Sequence, residues 1–337
     1  MSPKPTIHFF EITPDEHRYF QHTLKNHTVT FTDQPLNIES AELAKNADII
    51  SIYVTSRVEK KILELLPKLK LITCRSTGYD NVDLATIRHQ QVLLSNVPGY
   101  GEDTVAEYTF MLMLALSRRL LPALEQARSG HMDHSTLTGF NLAGKTLGVI
   151  GTGAIGKHVV RIANGFGMKV LAYDPFPNQG LEYEYNMQYV KIIELLSQSD
   201  IVTLHAPYMA ENHHMINKNA FDRMKPTALL INTARGELID TQALVVALAS
   251  QQLGGAALDV IEGEKLLELN EETELLKKTT DRGFNYVLEQ LILEKLPNVI
   301  ITPHNAFNSY EALEWIRHTT VDNIGSFVAG QPKNLVK

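Results

Sequence analysis

Short apolar runs alternate with helical stretches along the first hundred residues of the chain. The apolar runs predict strands at residues 7–10, 48–52, 71–74 and 92–95, and the stretches between them predict helices at 14–24, 59–66 and 84–89. Strands that alternate with helices are typical of parallel βαβ units, because a parallel pair needs a crossover connection. This region therefore predicts a small doubly wound α/β domain.

A turn-rich break at residues 96–101 precedes a long segment, 102–121, with helical periodicity. The small and apolar side chains of this segment fall on overlapping helical faces, which makes a wider apolar surface than a single core-facing stripe. Two interpretations stay open. The segment can be a buried central helix, or it can in addition support an interface between subunits.

The second half of the chain repeats the alternation of strands and helices. Its apolar runs predict strands at 145–150, 170–173, 201–205, 228–232, 255–260 and 298–302, with a helix at 241–251. A final helix, 311–328, has no strand of its own to pack against, so we expect it to return to the N-terminal domain. The predicted fold class is α/β with two doubly wound parallel-sheet domains. A Rossmann domain at 102–304 is inserted into a smaller, flavodoxin-like domain at 1–101 and 305–337.

Composition places the chain among ordinary globular proteins and argues against two classes of partner. Its 337 residues are 44% hydrophobic and 20% charged, and a net charge of −7 without a dense Lys/Arg cluster argues against nucleic-acid binding. The start carries early charges without an apolar core, and the apolar run 110–116 is far shorter than the roughly 20 residues that span a bilayer. We therefore expect a cytoplasmic protein without membrane contact.

The one cysteine, Cys74, lies in an apolar stretch and is expected to be buried rather than reactive.

A glycine-rich turn joins strand 145–150 to the next helix, with the sequence Gly151-Thr152-Gly153-Ala154-Ile155-Gly156. The first glycine permits the tight turn, the second lets the backbone approach a pyrophosphate, and the third lets the helix pack closely on the strand. The following strand ends on Asp174, whose carboxylate can bind a ribose and repel a 2′-phosphate. Strand, turn, helix, strand and acidic residue in this order predict an NAD site that disfavours NADP.

Three residues follow predicted strand ends in this half: Arg235, Glu264 and His304. Ligands of doubly wound sheets bind outside the carboxyl ends of the strands. An arginine offers a planar fork to a carboxylate, a histidine exchanges a proton near neutral pH, and a nearby carboxylate favours the protonated histidine. Each residue alone has an ordinary structural explanation. Together they match the groups that hydride transfer to a 2-keto acid requires, so we expect them to act as one site.

Metal-dependent chemistry finds little support in the sequence. His213 and His214 are adjacent, so their side chains are expected to diverge. The other histidines are scattered without the spacing of metal ligands, and we expect no metal site.

Several motifs resemble the D-specific 2-hydroxyacid dehydrogenase family: residues 148–174, INTARGELID at 231–240, ITPHNAF at 301–307, RSTGYDNVD at 75–83, and 97–107. The resemblance covers nearly the whole chain. It implies that Arg235 binds the carboxylate and carbonyl of the substrate, that His304 is the acid/base, and that Glu264 is its partner. Asp174 would hold the adenosine ribose.

The same resemblance implies the remaining contacts. The NAD site would include the three glycines of the turn and Ala154, Ile155, His205, Ala206, Pro207, Asn212, Thr233, Ala234, Arg235 and Asp259. The substrate would be contacted by Tyr53, Thr77, Gly78, Tyr100 and Phe307. If segment 102–121 supports an interface between subunits, the protein associates with a second copy of itself, and we therefore expect a homodimer.

Within the family, residues 173–177 and the extended stretch 265–296 between the glutamate and the histidine resemble the D-lactate dehydrogenase branch. The expected reaction is the reduction of pyruvate to D-lactate with NADH. One alternative is a reductase of another 2-keto acid, such as hydroxypyruvate, glyoxylate or a branched-chain acid. A different class is an NAD-sensing scaffold like the transcriptional corepressors that share the fold. Oxidation of NADH by a panel of keto acids would discriminate between these alternatives.

Overall fold

A computed structural model of the chain describes residues 4–264 and 281–336, so part of the extended stretch 265–296 lies outside the described residues. The chain divides into two compact units, Met1–Tyr100 with Asn308–Lys337 and Gly101–Phe307. Each unit contains a parallel sheet with interleaved helices, which confirms the predicted α/β fold class. Within the described ranges, no helix has the length and apolarity needed to cross a membrane.

A parallel sheet forms the centre of the first unit. Its strands are β1 (Thr6–Phe9), β2 (Thr28–Phe31), β3 (Ile49–Ile52), β4 (Leu71–Cys74) and β5 (Leu93–Ser95), and the helices that accompany them are α1 (Pro14–Thr23), α2 (Lys60–Leu63) and α3 (Leu84–His89). The strand order β2-β1-β3-β4-β5 is the flavodoxin-like order. β3 and β4 are buried along their whole length, as is typical of central parallel strands covered on both faces.

Two elements of this unit differ from the sequence prediction. The pattern does not predict β2, because its side chains alternate between exposed and half-buried and form no apolar run. Helix α2 is shorter than the predicted 59–66, since regular helical geometry ends at Leu63, ahead of Pro67. Cys74 is fully buried in β4, and burial raises the pKa of its thiol to about 12, so it is an inert core residue.

A second parallel sheet forms the centre of the second unit. Its strands are β6 (Thr146–Ile150), β7 (Lys169–Tyr173), β8 (Met187–Tyr189), β9 (Ile201–Leu204), β10 (Leu229–Asn232), β11 (Gly255–Leu258) and β12 (Val299–Ile301). The helices are α4 (Glu102–Ser117), α5 (Leu120–Arg128), α6 (Ala154–Gly165), α7 (Gln179–Glu184), α8 (Ile192–Gln198), α9 (Lys218–Phe221), α10 (Thr241–Ala249) and α11 (Asp281–Glu294). The strand order β12-β11-β10-β9-β6-β7-β8 changes direction at β6, which is the Rossmann arrangement.

Helix α4 ends at Ser117, before the predicted residue 121, and α5 begins a new helix. Arg119 lies between them with a φ of 51°, a left-handed conformation that interrupts the regular helix. One face of α4 packs on α6 and on the sheet. On another face, Met111 and Leu114 are 45% and 37% exposed. The helix is therefore a core element that also carries exposed apolar surface.

The C-terminal helix α12 (Tyr310–Val328) packs within the first unit, against α1 and β4. Its Ile324 is buried in the same hydrophobic cluster as Phe20 of α1 and Leu71 of β4. The helix begins after Ser309, whose side-chain oxygen accepts a hydrogen bond from the N–H of Ala312. The last segment of the chain thus completes a unit whose other elements come from the N-terminal residues.

Candidate active site

The residues predicted to carry the chemistry follow three neighbouring strands of the second unit. The final residues of β10, β11 and β12 pair in register across the sheet. Because the strands are parallel, the loops that follow them begin at one edge of the sheet. These loops carry Arg235, Glu264 and His304, in that order.

Asp259 determines the shape of the loop that follows β12. It comes directly after β11 and is 1% exposed. Its carboxylate accepts hydrogen bonds from the Thr302 hydroxyl (2.5 Å) and from the N–H groups of Asn305 (2.9 Å) and Ala306 (2.8 Å). The N–H of His304 donates to its carbonyl oxygen at 2.9 Å. These bonds hold His304 at a φ of 49°, a left-handed conformation that is uncommon for a residue with a side chain.

The imidazole of His304 is paired with the carboxylate of Glu264. Its Nδ1–H donates to Oε1 at 3.0 Å, and the side chains of His304 and Glu264 are 36% and 30% exposed. The other carboxylate oxygen, Oε2, accepts from the N–H of Ile261 at 3.4 Å, which ties Glu264 to its own turn. With Nδ1 held by a carboxylate, Nε2 is the nitrogen that can exchange a proton.

The loop after β10 presents Arg235. Asn232 is fully buried and closes this loop, since its Nδ2 donates to the Arg235 carbonyl (2.8 Å) and its Oδ1 accepts from the N–H of Ala234 (3.0 Å). The hydroxyl of Thr233 lies 3.0 Å from that of Thr109 in α4, which links the loop to the central helix. Sequence reasoning missed Asn232, although a polar residue at the end of an apolar strand is a signal that could have identified it.

The turn between β6 and α6 has the geometry of a dinucleotide-binding loop. Gly151 has a φ of 93°, and a Cβ there would lie 2.7 Å from the backbone nitrogen of Ala206. A Cβ on Gly156 would clash with the Gly151 carbonyl, whereas one on Gly153 would meet no atom within 4 Å. Gly153 therefore faces open space at the N-terminus of α6, where backbone N–H groups favour an anion. This cradle fits the pyrophosphate of NAD.

Asp174 lies beside the glycine turn, directly after β7. Its Oδ2 accepts from the N–H (2.8 Å) and the hydroxyl (3.1 Å) of Thr152, and its Oδ1 accepts from the N–H of Phe176 (2.9 Å). The Thr152 hydroxyl also lies 2.7 Å from the hydroxyl of Tyr189. The carboxylate is thus fixed next to the turn, which is where this fold binds a ribose.

The segment after β9 contains the other residues predicted to contact NAD. Burial lowers the pKa of His205 to about 3, so its ring is neutral at neutral pH, and its Nε2 lies 2.9 Å from the Thr203 hydroxyl. The amide of Asn212 crosslinks the following loop. Its Nδ2 donates to the Pro207 carbonyl (2.8 Å), and its Oδ1 accepts from the N–H of Met209 (2.8 Å). Asn212 therefore shapes this loop.

The residues predicted to contact the substrate are divided between the two units. Phe307 belongs to the second unit, where its ring lies edge-on to that of His304 at a centroid distance of 6.5 Å. The others belong to the first unit and are Tyr53, Thr77, Gly78 and Tyr100. Within that unit, the Thr77 hydroxyl donates to the Val97 carbonyl at 2.8 Å.

Tyr53 lies on a polar network of the first unit that is only partly buried. The Glu11 carboxylate accepts from the N–H groups of Tyr53 (2.9 Å) and Thr55 (2.8 Å). Arg75 is fully buried, donates to the carbonyls of Phe10 and Glu11 at 2.8 Å each, and places its guanidinium carbon 5.3 Å from the centroid of the Tyr53 ring. Burial raises the pKa of Tyr53, so its phenol stays protonated and can donate a hydrogen bond.

The adjacent histidines correct one expectation. The rings of His213 and His214 do not diverge but stack, with centroids 3.7 Å apart and planes at 24°. His214 has a φ of 52°, so the pair departs from the extended geometry in which successive side chains point to opposite sides. Its Nε2 lies 2.9 Å from Oε2 of Glu262, a buried residue that sequence reasoning missed. No sequence pattern marks this pair, because its members are 48 positions apart.

Residues 110–306 match the NAD binding domain of the D-isomer specific 2-hydroxyacid dehydrogenases. The chain is 36% identical over 313 residues to the D-lactate dehydrogenase of Escherichia coli, a match that covers 91% of this chain and 92% of the relative. It is also 36% identical over 303 residues to the glyoxylate reductase of Thermococcus litoralis, a match that covers 88% of this chain and 85% of the relative.

The likeness extends to solved structures. The crystal structure of the D-lactate dehydrogenase from Aquifex aeolicus, complexed with NAD and lactic acid, superposes with a TM-score of 0.89. Its sequence is 36% identical, and the match covers 98% of both chains. The chain therefore belongs to the D-isomer specific 2-hydroxyacid dehydrogenase family of oxidoreductases, and its cofactor is NAD.

Proposed function

We propose that this protein is a D-lactate dehydrogenase that reduces pyruvate to D-lactate with NADH. The observation that supports this most strongly is the pairing of His304 with Glu264 at the sheet edge where the Arg235 loop also begins. An acid/base and a cationic anchor suit a substrate with a carboxylate next to its carbonyl group. Relatives named D-lactate dehydrogenase support pyruvate as that substrate.

Each of the three residues has one task in this proposal. Arg235 offers two N–H groups to the substrate carboxylate and stays charged throughout. Nε2–H of His304 donates a proton to the carbonyl oxygen, and the Glu264 carboxylate stabilises the imidazolium until that transfer. NADH, when bound, supplies the hydride for the carbonyl carbon. The imidazole is left neutral and takes up a proton before the next turnover.

The remaining assignments rest on the loops described above and on the resemblance. We propose that NAD is held by Gly151, Gly153, Ala154, Ile155 and Gly156, by Asp174, and by His205, Ala206, Pro207, Asn212, Thr233, Ala234, Arg235 and Asp259. The Asp259 carboxylate at the same time holds the loop of His304. The substrate contacts of Tyr53, Thr77, Gly78, Tyr100 and Phe307 stay predictions.

Glyoxylate is the second candidate substrate, because a relative of equal identity is a glyoxylate reductase. Glyoxylate differs from pyruvate by one methyl group. One such group in an apolar pocket changes transition-state binding by only about 1–3 kcal/mol, so selectivity between the two acids should be graded. The choice between them therefore requires a direct comparison of rates.

Among pyruvate, hydroxypyruvate, glyoxylate and branched 2-keto acids, we expect pyruvate to give the highest kcat/KM with NADH. The measurement is the initial rate of NADH oxidation at several concentrations of each acid. Arg235→Lys should lower kcat/KM for every acid, because an ammonium cannot reproduce the bidentate grip on the carboxylate. If glyoxylate or hydroxypyruvate exceeds pyruvate by about tenfold, the lactate assignment is wrong while the family assignment stands.

His304→Gln should lower kcat by about 10²–10⁴-fold, which is the usual contribution of a general acid. Glu264→Gln should retain activity and move the pH optimum of kcat to lower pH, because the imidazolium loses its neighbouring anion. The exposed His22 supplies a control, since His22→Gln should leave kcat and its pH optimum unchanged. An unaltered pH profile in Glu264→Gln would remove this glutamate from the mechanism.

The wild-type protein should use NADH far better than NADPH, because the Asp174 carboxylate would face the 2′-phosphate. Asp174→Ala should lower the ratio of kcat/KM with NADH to kcat/KM with NADPH by about tenfold or more, since the substitution removes the like-charge contact with the 2′-phosphate. Asp133→Ala, in an exposed loop, is the matched control. Equal use of both cofactors by the wild-type protein would contradict the role given to Asp174.

We also propose a homodimer that forms through α4 and α5. Leu120, Leu121 and Leu124 of α5 are 46%, 39% and 44% exposed, and Leu114 and Leu120 help to line an apolar groove of about 540 Å³. Exposed apolar surface of this kind marks interfaces. Sedimentation velocity should show twice the 37.8 kDa of the chain.

Leu114→Asp combined with Leu121→Asp should give a monomer, because a charge at an apolar interface is costly. Leu43 is 56% exposed in the first unit, and Leu43→Asp should leave the mass unchanged. A monomeric wild-type protein, or a dimeric double variant, would contradict this interface.

A further inference from the structure

Glu262 is a buried carboxylate in the turn that carries Glu264. It is 7% exposed. Its Oε1 accepts a hydrogen bond from the hydroxyl of Tyr286 in α11 at 2.8 Å, and its Oε2 lies 2.9 Å from Nε2 of His214. A buried carboxylate is costly unless such partners surround it. Three separate segments of the second unit therefore meet at this one side chain.

The turn between Glu262 and Glu264 is in close contact with α11. Gly263 has a φ of 80°, and a Cβ there would lie 2.8 Å from the ring of Tyr286. The tyrosine thus packs on the turn with its ring while its hydroxyl binds Glu262. A movement of this side chain would shift the backbone that leads directly into Glu264.

The His214 side of the turn adjoins the loop of Arg235. The N–H of His214 donates to the carbonyl of Glu237 at 3.0 Å. A Cβ on Gly236 would lie 2.5 Å from the carbonyl oxygen of Ile261, so the backbones of the two loops are in direct contact. The turn of Glu264 is therefore held from both sides.

A metal site is the other chemistry that these side chains suggest. His213, His214 and Glu262 each place a ligand atom within 4.8 Å of the others. A metal ion lies in the plane of each imidazole that binds it, because the lone pair lies in that plane. The two rings stack 24° from parallel with centroids 3.7 Å apart, so their planes do not meet at bonding distance. The geometry favours a hydrogen-bonded network.

We propose that Glu262, His214 and Tyr286 are positioning residues that hold the Glu264 carboxylate against His304. This inference rests on the proposed role of the His304–Glu264 pair in proton transfer. The Glu264 side chain is 30% exposed, so its reach to the imidazole depends on a rigid turn beneath it. Without the network, the carboxylate spends part of its time away from His304, and the imidazolium loses part of its stabilisation.

The test compares the pH profile of kcat in the wild-type protein, Tyr286→Phe, Glu262→Gln and Glu264→Gln. Of the described titratable groups, His214 and Tyr286 contact Glu262, and His213 stacks on His214. We expect Tyr286→Phe and Glu262→Gln to move the pH optimum of kcat to lower pH, as Glu264→Gln does, but by about half as much. The KM for NADH should stay within about twofold, because Glu262 and Tyr286 are not among the residues proposed to hold NAD.

The double variant Glu262→Gln/Glu264→Gln should show no further displacement of the profile than Glu264→Gln alone, because the carboxylate to be positioned is gone. Tyr183→Phe is the matched control, since Tyr183 is 96% exposed, and it should keep the wild-type profile. Displacements that add in the double variant would overturn the inference.

Thermal midpoints separate positioning from stability alone. A lower midpoint in Tyr286→Phe together with a wild-type pH profile would show a structural role only and would overturn the inference. A wild-type profile in Glu264→Gln contradicts the proposed role of the pair itself, and the network then has nothing to position. The two failures are distinguished by the behaviour of Glu264→Gln alone.

Discussion

The carboxylate of Asp259 is the contact on which the catalytic edge of the second unit depends. It follows β11 directly and binds groups in the loop after β12, so it joins two neighbouring strands beyond their last paired residues. These bonds compensate for the left-handed backbone of His304. A buried acceptor left without donors would cost about 1–3 kcal/mol or more, so the aspartate and the histidine loop stabilise each other.

In both units, a buried charged side chain binds groups from other segments of the chain. In the first unit, the buried Arg75 binds the carbonyls of Phe10 and Glu11 beside the ring of Tyr53, and in the second, the buried Glu262 binds groups from two other segments. Each of these side chains is costly to bury alone and stable only when its partners are in place. In the second unit, Glu264 and His304 are attached to backbone that the buried carboxylates of Glu262 and Asp259 hold, which limits how far the two side chains can move.

The sequence by itself determined the class of the fold and the identity of the residues proposed to react. Apolar runs of the right length predict most of the parallel strands, because a strand buried on both faces has to be apolar throughout. The glycine turn and Asp174 predict the NAD-binding unit, since Gly151 and Gly156 are required by close backbone contacts and Gly153 leaves room for a pyrophosphate. Arg235, Glu264 and His304 could be selected because each follows a predicted strand, and strand ends of a parallel sheet share one edge.

Only the tertiary structure decided which side chains pair across these loops. β2 and the break between α4 and α5 lack a local signal, because half-exposed strands and single left-handed residues leave no apolar pattern. The stacking of His213 on His214, and the binding of His214 to Glu262, depend on one backbone angle and on segments 48 positions apart. Hydrophobic patterning places the elements, whereas polar pairing depends on distances between segments that only the folded chain defines.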